Sequence, residues 1–584
     1  MSTAKTLAFV DGMDNINKKN KQFTETENGH EAYSWNNDDK ISVKSVKEKF
    51  VQLYFQCVLN KKPVVNDNIV LQNKFEELIN SILSLKTEKK QKKYLDYVSR
   101  FIMQNRDIVN GKGLYEVTFY FLEVYAYYTF EYRVFDENYY FSMITKIVSE
   151  IDNQHSLGSW KDLKMYLHFL INSKTFCFNN KYELICQHIE KIYIPEMIQD
   201  RKNMSIGENI SLCGKWLPRE STKKYKWLAR LIAKLYYQHV YQTSNVTSSV
   251  ASYEYRRLCS SLNKYLDTTQ IHMCNRTWDV INFDHVTSLT LHKSKDAFLN
   301  KSKINEEHRN ICRDNLLNYI SAKVAKNEAL KGKVMFPSDL VKQVLYTSID
   351  MDETNKNIIN LQWKGLVESV KKNDENFLHY CIPCIDVSPS MYHYDNSPLL
   401  SSIGMGLMAT ECSTIGRAFT FAEVPHWIEF DEDETFVSKV NKVRNESWGG
   451  TTDIYRMFNM MLDNCIKNNV PNEELEKYSL FIFSDMQFNQ CDSTNNVENK
   501  MELVERLKKL FGGHGYTNIP YIIFWNLTTT GNFPTIEKTP GATMLSGNSA
   551  SLFKFFMNTT LDKVKKMTNW TLIKEILDND RYNI

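Results

Sequence analysis

The sequence predicts a protein of class α plus α/β, in which a helical domain is followed by a doubly wound, mostly parallel sheet. Between about residues 46 and 333, apolar residues recur at three- and four-residue spacing, the period of a helix. After about residue 378, short apolar runs alternate with helical patterns, as in parallel sheets. A chain of 584 residues is also too long for one ordinary core. We therefore expect an arm over residues 1–45, a helical domain over 46–375 and an α/β domain over 376–584.

The predicted arm is polar. Residues from about Asp11 to Lys44 are rich in Asn, Lys, Asp and Glu and poor in aliphatic side chains. Such a segment buries too little apolar surface to offset the entropy that ordering costs. We expect it to be flexible.

The predicted helical domain has a clear periodicity but few breaks. Apolar residues follow helical spacing at Phe75, Leu78, Ile79 and Ile82, and glycines and prolines are sparse. Helices joined in this way usually stack in pairs, as in an α-solenoid, although no strict repeat period is visible. The pattern therefore favours a solenoid-like domain.

Composition argues against several classes of protein. Lys plus Arg exceeds Asp plus Glu by only three, which excludes a polycation but allows a local basic patch. The 12 cysteines form no dense disulfide framework, and Cys381 and Cys384 fall inside a predicted strand, where buried thiols are expected rather than a zinc or redox pair. No signal peptide is visible, and Glu116, Glu123 and Glu131 interrupt the most apolar stretch. We expect a cytoplasmic protein that neither is secreted nor spans a membrane.

Five apolar runs form the predicted sheet: Tyr380–Ile385, Ala418–Phe421, Trp427–Phe430, Leu480–Phe483 and Tyr521–Trp525. Helical patterns separate them around Leu399–Thr410, Ile454–Ile466 and Glu498–Leu510. Ligands of open α/β sheets bind at the carboxyl ends of the strands. Functional residues are therefore expected in the loops that follow these runs.

Oxygen-bearing side chains follow three of the runs. The first ends in the D-x-S-x-S sequence of Asp386, Ser388 and Ser390, and the fourth is followed by Asp485. A loop between them carries two glycines and then Thr451-Thr452, and glycine allows the backbone to approach closely. Mg²⁺ prefers such hydroxyl and carboxylate ligands. These residues predict a site for Mg²⁺ or another divalent cation such as Mn²⁺.

The order D-x-S-x-S, G-G-T and S-D, each at a predicted strand end, resembles the metal-ion-dependent adhesion site of von Willebrand factor A domains. The resemblance implies that Ser388, Ser390 and a threonine coordinate the metal, and that Asp386 and Asp485 bind it directly or through water. Thr452 is preferred because it precedes Asp453, and Thr451 is the alternative. In that family a carboxylate of a protein partner often completes the metal shell. The competing interpretation is that these residues only cap strand-to-helix turns.

A series of motifs in the rest of the chain resembles an uncharacterised family found in eukaryotes and giant viruses. The segments are Asn105–Asp107, Gly111–Gly113, Ser159–Leu163, Ser211–Glu220, Tyr255–Leu258, Ala297–Leu299 and Phe336–Val341. That family joins a helical domain to a C-terminal von Willebrand A domain and is similar in layout to the Ro (TROVE) RNA-binding proteins. The resemblance implies a HEAT-like solenoid or ring, and RNA binding by analogy at the level of the fold.

One basic cluster of the helical domain is a candidate RNA contact. It comprises Lys215, Arg219, Lys223, Lys224 and Lys226, and Trp216 lies beside it. Clustered cations attract phosphates, and nearby aromatic rings stack on bases. The alternative interpretation is a set of solvated helix faces, which also applies to the lysines of residues 89–93 and 293–303.

Three functions follow as hypotheses. The favoured one is a non-enzymatic, metal-dependent scaffold that binds structured RNA as a ribonucleoprotein component. The second is a protein-interaction or structural protein, packaged in a virion if the source is a giant virus, whose metal site grips an acidic residue of a partner. The third is a metal-dependent phosphohydrolase using Asp386 and Asp485. It is the most distant hypothesis, because the spacing of residues along the chain gives no arrangement of a nucleophile with a general base.

Overall fold

The structure is a computed structural model. It describes residues 23–25, 31–36, 41–59, 65–150, 154–175, 180–243, 245–331, 335–346, 351–371, 377–392, 397–421, 424–446, 453–488, 503–529, 533–536 and 539–584. No helix of these residues is long and apolar enough to cross a membrane.

The described residues form two compact units. The first, here called the sheet unit, comprises described residues up to Val98 and from Met335 to Asp580. The second, the helical unit, comprises described residues from Ser99 to Val334 and from Arg581 to Ile584. The units therefore do not coincide with the predicted boundaries at residues 45 and 375.

Helices dominate the chain before the sheet. They are α1 (Val43–Gln56), α2 (Val65–Leu83), α3 (Glu88–Arg106), α4 (Glu116–Phe130), α5 (Glu137–Val148), α6 (Trp160–Asn172), α7 (Lys181–His188), α8 (Ile194–Ser205), α9 (Cys213–Trp216), α10 (Lys226–Tyr241), α11 (Ser248–Leu266), α12 (Thr269–Asn275), α13 (Ser288–Phe298), α14 (Glu307–Ala325), α15 (Pro337–Tyr346) and α16 (Glu353–Val370). The predicted helical region is confirmed.

Helices and strands alternate in the rest of the chain. The helices are α17 (Ser397–Cys412), α18 (Phe436–Asn445), α19 (Ile454–Lys467), α20 (Asn472–Leu475), α21 (Leu503–Gly512), α22 (Phe553–Met557), α23 (Leu561–Lys565) and α24 (Asn569–Leu577). The strands are β3 (Cys381–Asp386), β4 (Arg417–Phe421), β5 (His426–Glu429), β6 (Ser479–Ser484), β7 (Tyr521–Asn526) and β8 (Ala542–Ser546), after a short antiparallel pair, β1 (Phe23–Glu25) and β2 (Glu31–Tyr33).

The six later strands form one sheet in the order β5-β4-β3-β6-β7-β8. All neighbours are parallel except β5, which pairs antiparallel with β4. The chain starts at β3 in the middle and builds outward in both directions, so the sheet is doubly wound. The strand order reverses between β3 and β6, where such sheets bind ligands. The prediction of an α/β sheet is confirmed, and the two thiols of β3, Cys381 and Cys384, are buried as expected.

Helix α17 packs against β3 and α15, and two glycines allow this close packing. A Cβ at Gly406 would lie 2.4 Å from Cγ1 of Ile385 on β3. A Cβ at Gly404 would lie 2.7 Å from Cβ of Pro337 on α15. Because real Cβ atoms do not approach carbon so closely, the helix can reach its neighbours only where side chains are absent.

The first helix of the described residues, α1, belongs to the sheet unit and covers the end of β7 and β8. Phe50, Tyr54 and Phe55 on α1 are buried, and Phe50 packs 5.2 Å from the ring of Trp570 on α24. The side chain of Ser546 donates to the carbonyl of Tyr54 at 2.6 Å. Sequence periodicity identifies such a helix but not the core against which it packs.

Most of the predicted arm lies outside the described residues. Its described part includes the β1–β2 pair, and Tyr33 exchanges two backbone hydrogen bonds with Phe533, at 2.9 and 3.0 Å. The indole of Trp35 donates to Glu77 on α2 at 2.9 Å. These contacts fix residues 31–36 against the rest of the sheet unit.

Candidate functional sites

The first candidate site lies where β3 and β6 end side by side. Ile385 on β3 is opposite Phe483 on β6 in the parallel register, so the residues that follow emerge at the same edge of the sheet. Asp386 and Asp485 are both buried there. The structure thus brings together two of the predicted metal-binding residues at the point where the strand order reverses.

Hydrogen bonds fix the carboxylate of Asp386. One oxygen accepts from the backbone N–H of Ser388 at 2.9 Å, and the other accepts from the hydroxyl of Ser484 at 2.5 Å. Ser484 was not predicted as a site residue, although it directly precedes Asp485 in the sequence. Because Ser484 holds Asp386 from the neighbouring strand, it positions the carboxylate across the two strand ends.

The two predicted serine ligands lie together. Ser388 is buried, Ser390 is half-buried in a short 3-10 turn, and their hydroxyl groups form a hydrogen bond with the oxygens 3.0 Å apart. Neighbouring ligands of an octahedral Mg²⁺ at 2.0–2.1 Å from the ion are separated by about 2.9 Å. The spacing of the hydroxyls therefore fits two adjacent positions of a magnesium shell.

The electrostatics of the site favour a cation. Burial, and then the neighbouring carboxylate of Asp485, raise the pKa of Asp386 well above its usual range, against the lowering effect of the hydrogen bonds from Ser388 and Ser484. Each carboxylate disfavours the charged form of the other. A divalent cation between them would remove this repulsion.

The backbone after Asp485 is also unusual. Met486 has a φ of 64°, in the left-handed region that non-glycine residues seldom adopt. Its amide donates to the hydroxyl of Ser484 at 3.0 Å, and the amide of Gln487 donates to Asp485 at 3.1 Å. Strained backbone of this kind is frequent at functional sites.

Some predicted residues of this site cannot be placed. Thr451 and Thr452 lie outside the described residues, and the described element before their loop is helix α18, not a strand as predicted. Asp453, which follows the threonines, caps α19 by accepting from the amide of Arg456 at 3.0 Å. The described residues hold no group of three or more His, Cys, Asp and Glu side chains arranged for a metal, and a site built mainly from hydroxyls would not form such a group.

The second candidate site is in the helical unit. Trp216 at the end of α9 has three lysine ammonium groups around its ring, from Lys161 at 5.9 Å, Lys164 at 5.3 Å and Lys215 at 5.7 Å. Tyr225, in the 3-10 turn before α10, has Lys164 at 5.2 Å and Lys224 at 5.4 Å from its ring. These six residues, Lys161, Lys164, Lys215, Trp216, Lys224 and Tyr225, are called the lysine–aromatic cluster below.

The positive charges of this cluster are crowded. Burial, and then the neighbouring Lys161 and Arg219, lower the pKa of Lys164 to about 8. Burial and Lys293 also lower the pKa of Lys161. Among the described residues, no carboxylate forms an ion pair with any of the four lysines, since nearby Asp162 pairs with Arg106 and nearby Glu220 with Arg230 and Arg256. Among the described residues, the charge of Asp162 offsets only part of the lowering of the Lys161 pKa, so the cluster keeps positive charge without an ion-pair partner.

The start of α10 adds to this charge. The helix begins at Lys226, has no acidic residue in its first turn, and receives no side-chain cap from Tyr225. Lysines are unfavourable at a helix amino terminus because the helix dipole is positive there. An anion bound at the cluster would reduce both the repulsion among the lysines and the unfavourable interaction of the lysines with the helix dipole.

The structure brings only some of the predicted basic residues to the rings. Lys215 and Lys224 are in the cluster, whereas Arg219 donates to the carbonyl of Gly214 at 3.2 Å, and Lys223 and Lys226 are exposed. Lys161 and Lys164 were not predicted from the sequence as members of this site. Their three-residue spacing on α6 puts them on one helix face, but which face meets Trp216 depends on tertiary packing.

Fold and sites together define a two-unit protein with a helical unit and a doubly wound sheet whose strand ends carry paired aspartates and serines. Two family models match the chain, both described as domains of unknown function: DUF2828 over residues 179–375 and DUF7788 over residues 380–580. An uncharacterized protein of Acanthamoeba polyphaga mimivirus is 28% identical over 473 residues, which cover 78% of this chain and 75% of the viral protein. These matches support an uncharacterised family that has a giant-virus member.

Proposed function

We propose that this protein is a non-enzymatic scaffold that binds RNA through the lysine–aromatic cluster of its helical unit. The observation that carries the proposal is the placement of four lysines around two aromatic rings without carboxylate partners among the described residues. RNA supplies the two complementary groups, phosphates for the ammonium groups and bases for the rings. A ribonucleoprotein component of the cytoplasm, similar in layout to Ro proteins, is the corresponding cellular role.

The site at the ends of β3 and β6 has a separate role in this proposal. Asp386, Ser388, Ser390 and Asp485, with Thr452 or Thr451, would hold Mg²⁺ or Mn²⁺ as in von Willebrand A domains. A bound cation would neutralise the paired carboxylates and stabilise the loops that carry the two serines. The 3.0 Å separation of the serine hydroxyls and the raised pKa of Asp386 support this assignment.

A second function is favoured by the same strand-end site. A magnesium ion held by few protein oxygens keeps open positions that a carboxylate of another protein can fill. The chain would then act as a protein-interaction or structural protein, and the similarity to a mimivirus protein keeps a virion location as part of this alternative.

The RNA proposal is tested by equilibrium binding of the intact protein to a fluorescent structured RNA across a salt series. We expect the logarithm of the binding constant to fall linearly with that of the salt concentration, with a slope of about −0.7 to −0.9 for each phosphate neutralised. The variant with Lys161→Glu and Lys164→Glu should bind more weakly and with a shallower slope. The double variant with Lys342→Glu and Lys477→Glu, two exposed lysines of the sheet unit, is the control for the same change in net charge. Absence of binding at low salt would exclude RNA and leave the protein-interaction function.

A further inference from the structure

The two rings of the lysine–aromatic cluster share one lysine. The ammonium group of Lys164 lies 5.3 Å from the ring centre of Trp216 and 5.2 Å from that of Tyr225, so both rings border the same small space. Both rings are half-buried, and His168 supports Tyr225 from α6 in an edge-to-face contact at 5.3 Å. The rings are thus held by the fold, whereas lysine side chains are long and flexible.

A third ring nearby, that of Tyr115, is covered by another side chain of the fold. Tyr115 lies 5.4 Å from the ammonium group of Lys161, but the guanidinium of Arg106 stacks on it at 4.0 Å. Arg106 is itself buried and fixed by Asp162. The face of Tyr115 that Arg106 covers is therefore closed to a ligand, which leaves Trp216 and Tyr225 as the rings for recognition.

We propose that the cluster recognises unpaired nucleotides, whose bases stack on Trp216 and Tyr225 while the lysines turn to the flanking phosphates. This inference rests on the proposed RNA binding and names the kind of RNA that the site takes. Lysines near a ring contribute a weak cation–π attraction, and each can exchange it for a phosphate by rotating its side chain. The ring that is released then offers its face to a base.

The geometry favours unpaired over paired nucleotides. In a duplex each base already stacks on its neighbours, and the deep major groove of A-form RNA keeps side chains from the bases. Two half-buried rings on a folded helical unit cannot enter such a stack. A base in a loop, bulge or single-stranded end has a free π face, and every base type offers one. The site should therefore be tolerant of sequence and selective for unpaired structure.

The test separates stacking from charge by using RNA with and without bases. Intact wild-type protein is titrated with a single-stranded RNA, the blunt duplex of the same sequence, and an abasic ribose-phosphate oligomer of the same length. The variants are Trp216→Leu, which keeps an apolar side chain without a ring, Tyr225→Leu, and Trp216→Phe, which keeps a ring. Thermal melting of each variant checks that the helical unit is intact.

We expect the wild type to bind the single strand more tightly than the duplex. Trp216→Leu and Tyr225→Leu should each weaken binding of the single strand about 10-fold, which is the size of one base–aromatic stack. Trp216→Phe should recover most of that affinity, and none of the three variants should change binding of the abasic oligomer.

Four results would overturn the inference. Equal binding of duplex and single strand, or a Trp216→Leu variant with unchanged affinity, leaves RNA binding by charge in place and removes stacking. An equal loss for RNA and the abasic oligomer shows that the ring only supports the lysines. If the wild type binds neither RNA nor the abasic oligomer, the proposed function fails together with the inference.

Discussion

Arg106 and Asp162, 56 positions apart in the sequence, form a buried ion pair in the helical unit, with Nε and Nη2 of the arginine 2.9 and 2.8 Å from one carboxylate oxygen. The same carboxylate accepts from the amide of Ser159 and so caps α6. A Cβ at Gly158 would lie 1.9 Å from it, which explains the glycine beside the cap. The motif segments Asn105–Asp107 and Ser159–Leu163 therefore meet in a structural contact, and the second segment also carries Lys161 of the lysine–aromatic cluster.

This pair gives a prediction on stability. Asp162→Ala leaves the guanidinium of Arg106 buried without its partner, so we expect the helical unit to lose about 3–5 kcal/mol of unfolding free energy. The measurement is urea denaturation followed by circular dichroism. Glu88→Ala removes the partner of Lys92 in an exposed pair and should change stability little. A loss for Asp162→Ala no larger than that of this control would contradict a structural role.

Gly406 gives a second prediction, for the sheet unit. Gly406→Ala puts a methyl group against Ile385, one residue before Asp386, and should cost about 1–3 kcal/mol by forcing α17 away from β3. Gly512→Ala, at the end of α21, meets nothing within 4 Å and should be neutral or slightly stabilising. The measurement is thermal melting of the two variants. Equal melting temperatures would show that α17 does not need a glycine at position 406 to pack against β3.

A third prediction concerns the cation at the strand ends. Adding MgCl₂ should raise the melting temperature of the wild type, because an ion that binds only the folded chain stabilises it. Ser390→Ala should weaken magnesium binding in isothermal titration calorimetry, and Asp386→Asn should abolish it. Ser369→Ala, which removes a hydroxyl bonded to a helix carbonyl on α16, is the matched control and should bind as the wild type does. The metal assignment fails if all four proteins give the same heat.

The lowered pKa of Lys164 gives a fourth prediction. Burial, and then the cations of Lys161 and Arg219, lower this pKa to about 8, so the ammonium group loses its proton as the pH rises through that value. Phosphates favour the charged form of Lys164, so RNA affinity should fall between about pH 7 and about pH 9. The fall should be larger than the one caused by the other titrating groups. Lys164→Arg keeps its charge throughout this range and should flatten the dependence. Parallel fluorescence anisotropy titrations that give the same slope for both proteins would exclude Lys164 from the RNA contact.

Much of the sheet unit was predictable from the sequence because buried parallel strands are continuous apolar runs. All five predicted runs are strands, and Asp386 and Asp485 were found because they follow such runs. Strand β8 was missed because Ala542–Ser546 (ATMLS) contains too few large apolar residues to form a clear run. The hydroxyl of Ser484 was missed because its role depends on β3 and β6 being neighbours, which the spacing of residues along the chain does not reveal.

The sequence predicted the helices of the helical unit, but not which side chains meet on its surface. The cluster in Lys215–Lys226 was visible as a run of charge, whereas Lys161 and Lys164 come from α6, more than 50 positions earlier. The boundaries of the two units could not be predicted from the sequence either. Helix α1 has the same periodicity as the later helices, yet it buries Phe50 and Phe55 in the sheet unit. Periodicity gives the apolar face of a helix but not its partner.

The most direct test of RNA binding at the lysine–aromatic cluster is to locate the RNA on the intact protein. Single-stranded RNA carrying 4-thiouridine is cross-linked to the wild type, and the modified peptides are identified by mass spectrometry. We predict cross-links in the peptides that contain Lys161 to Lys164 and Lys215 to Tyr225. Cross-links confined to other segments, while the protein demonstrably binds the RNA, would contradict the proposed site.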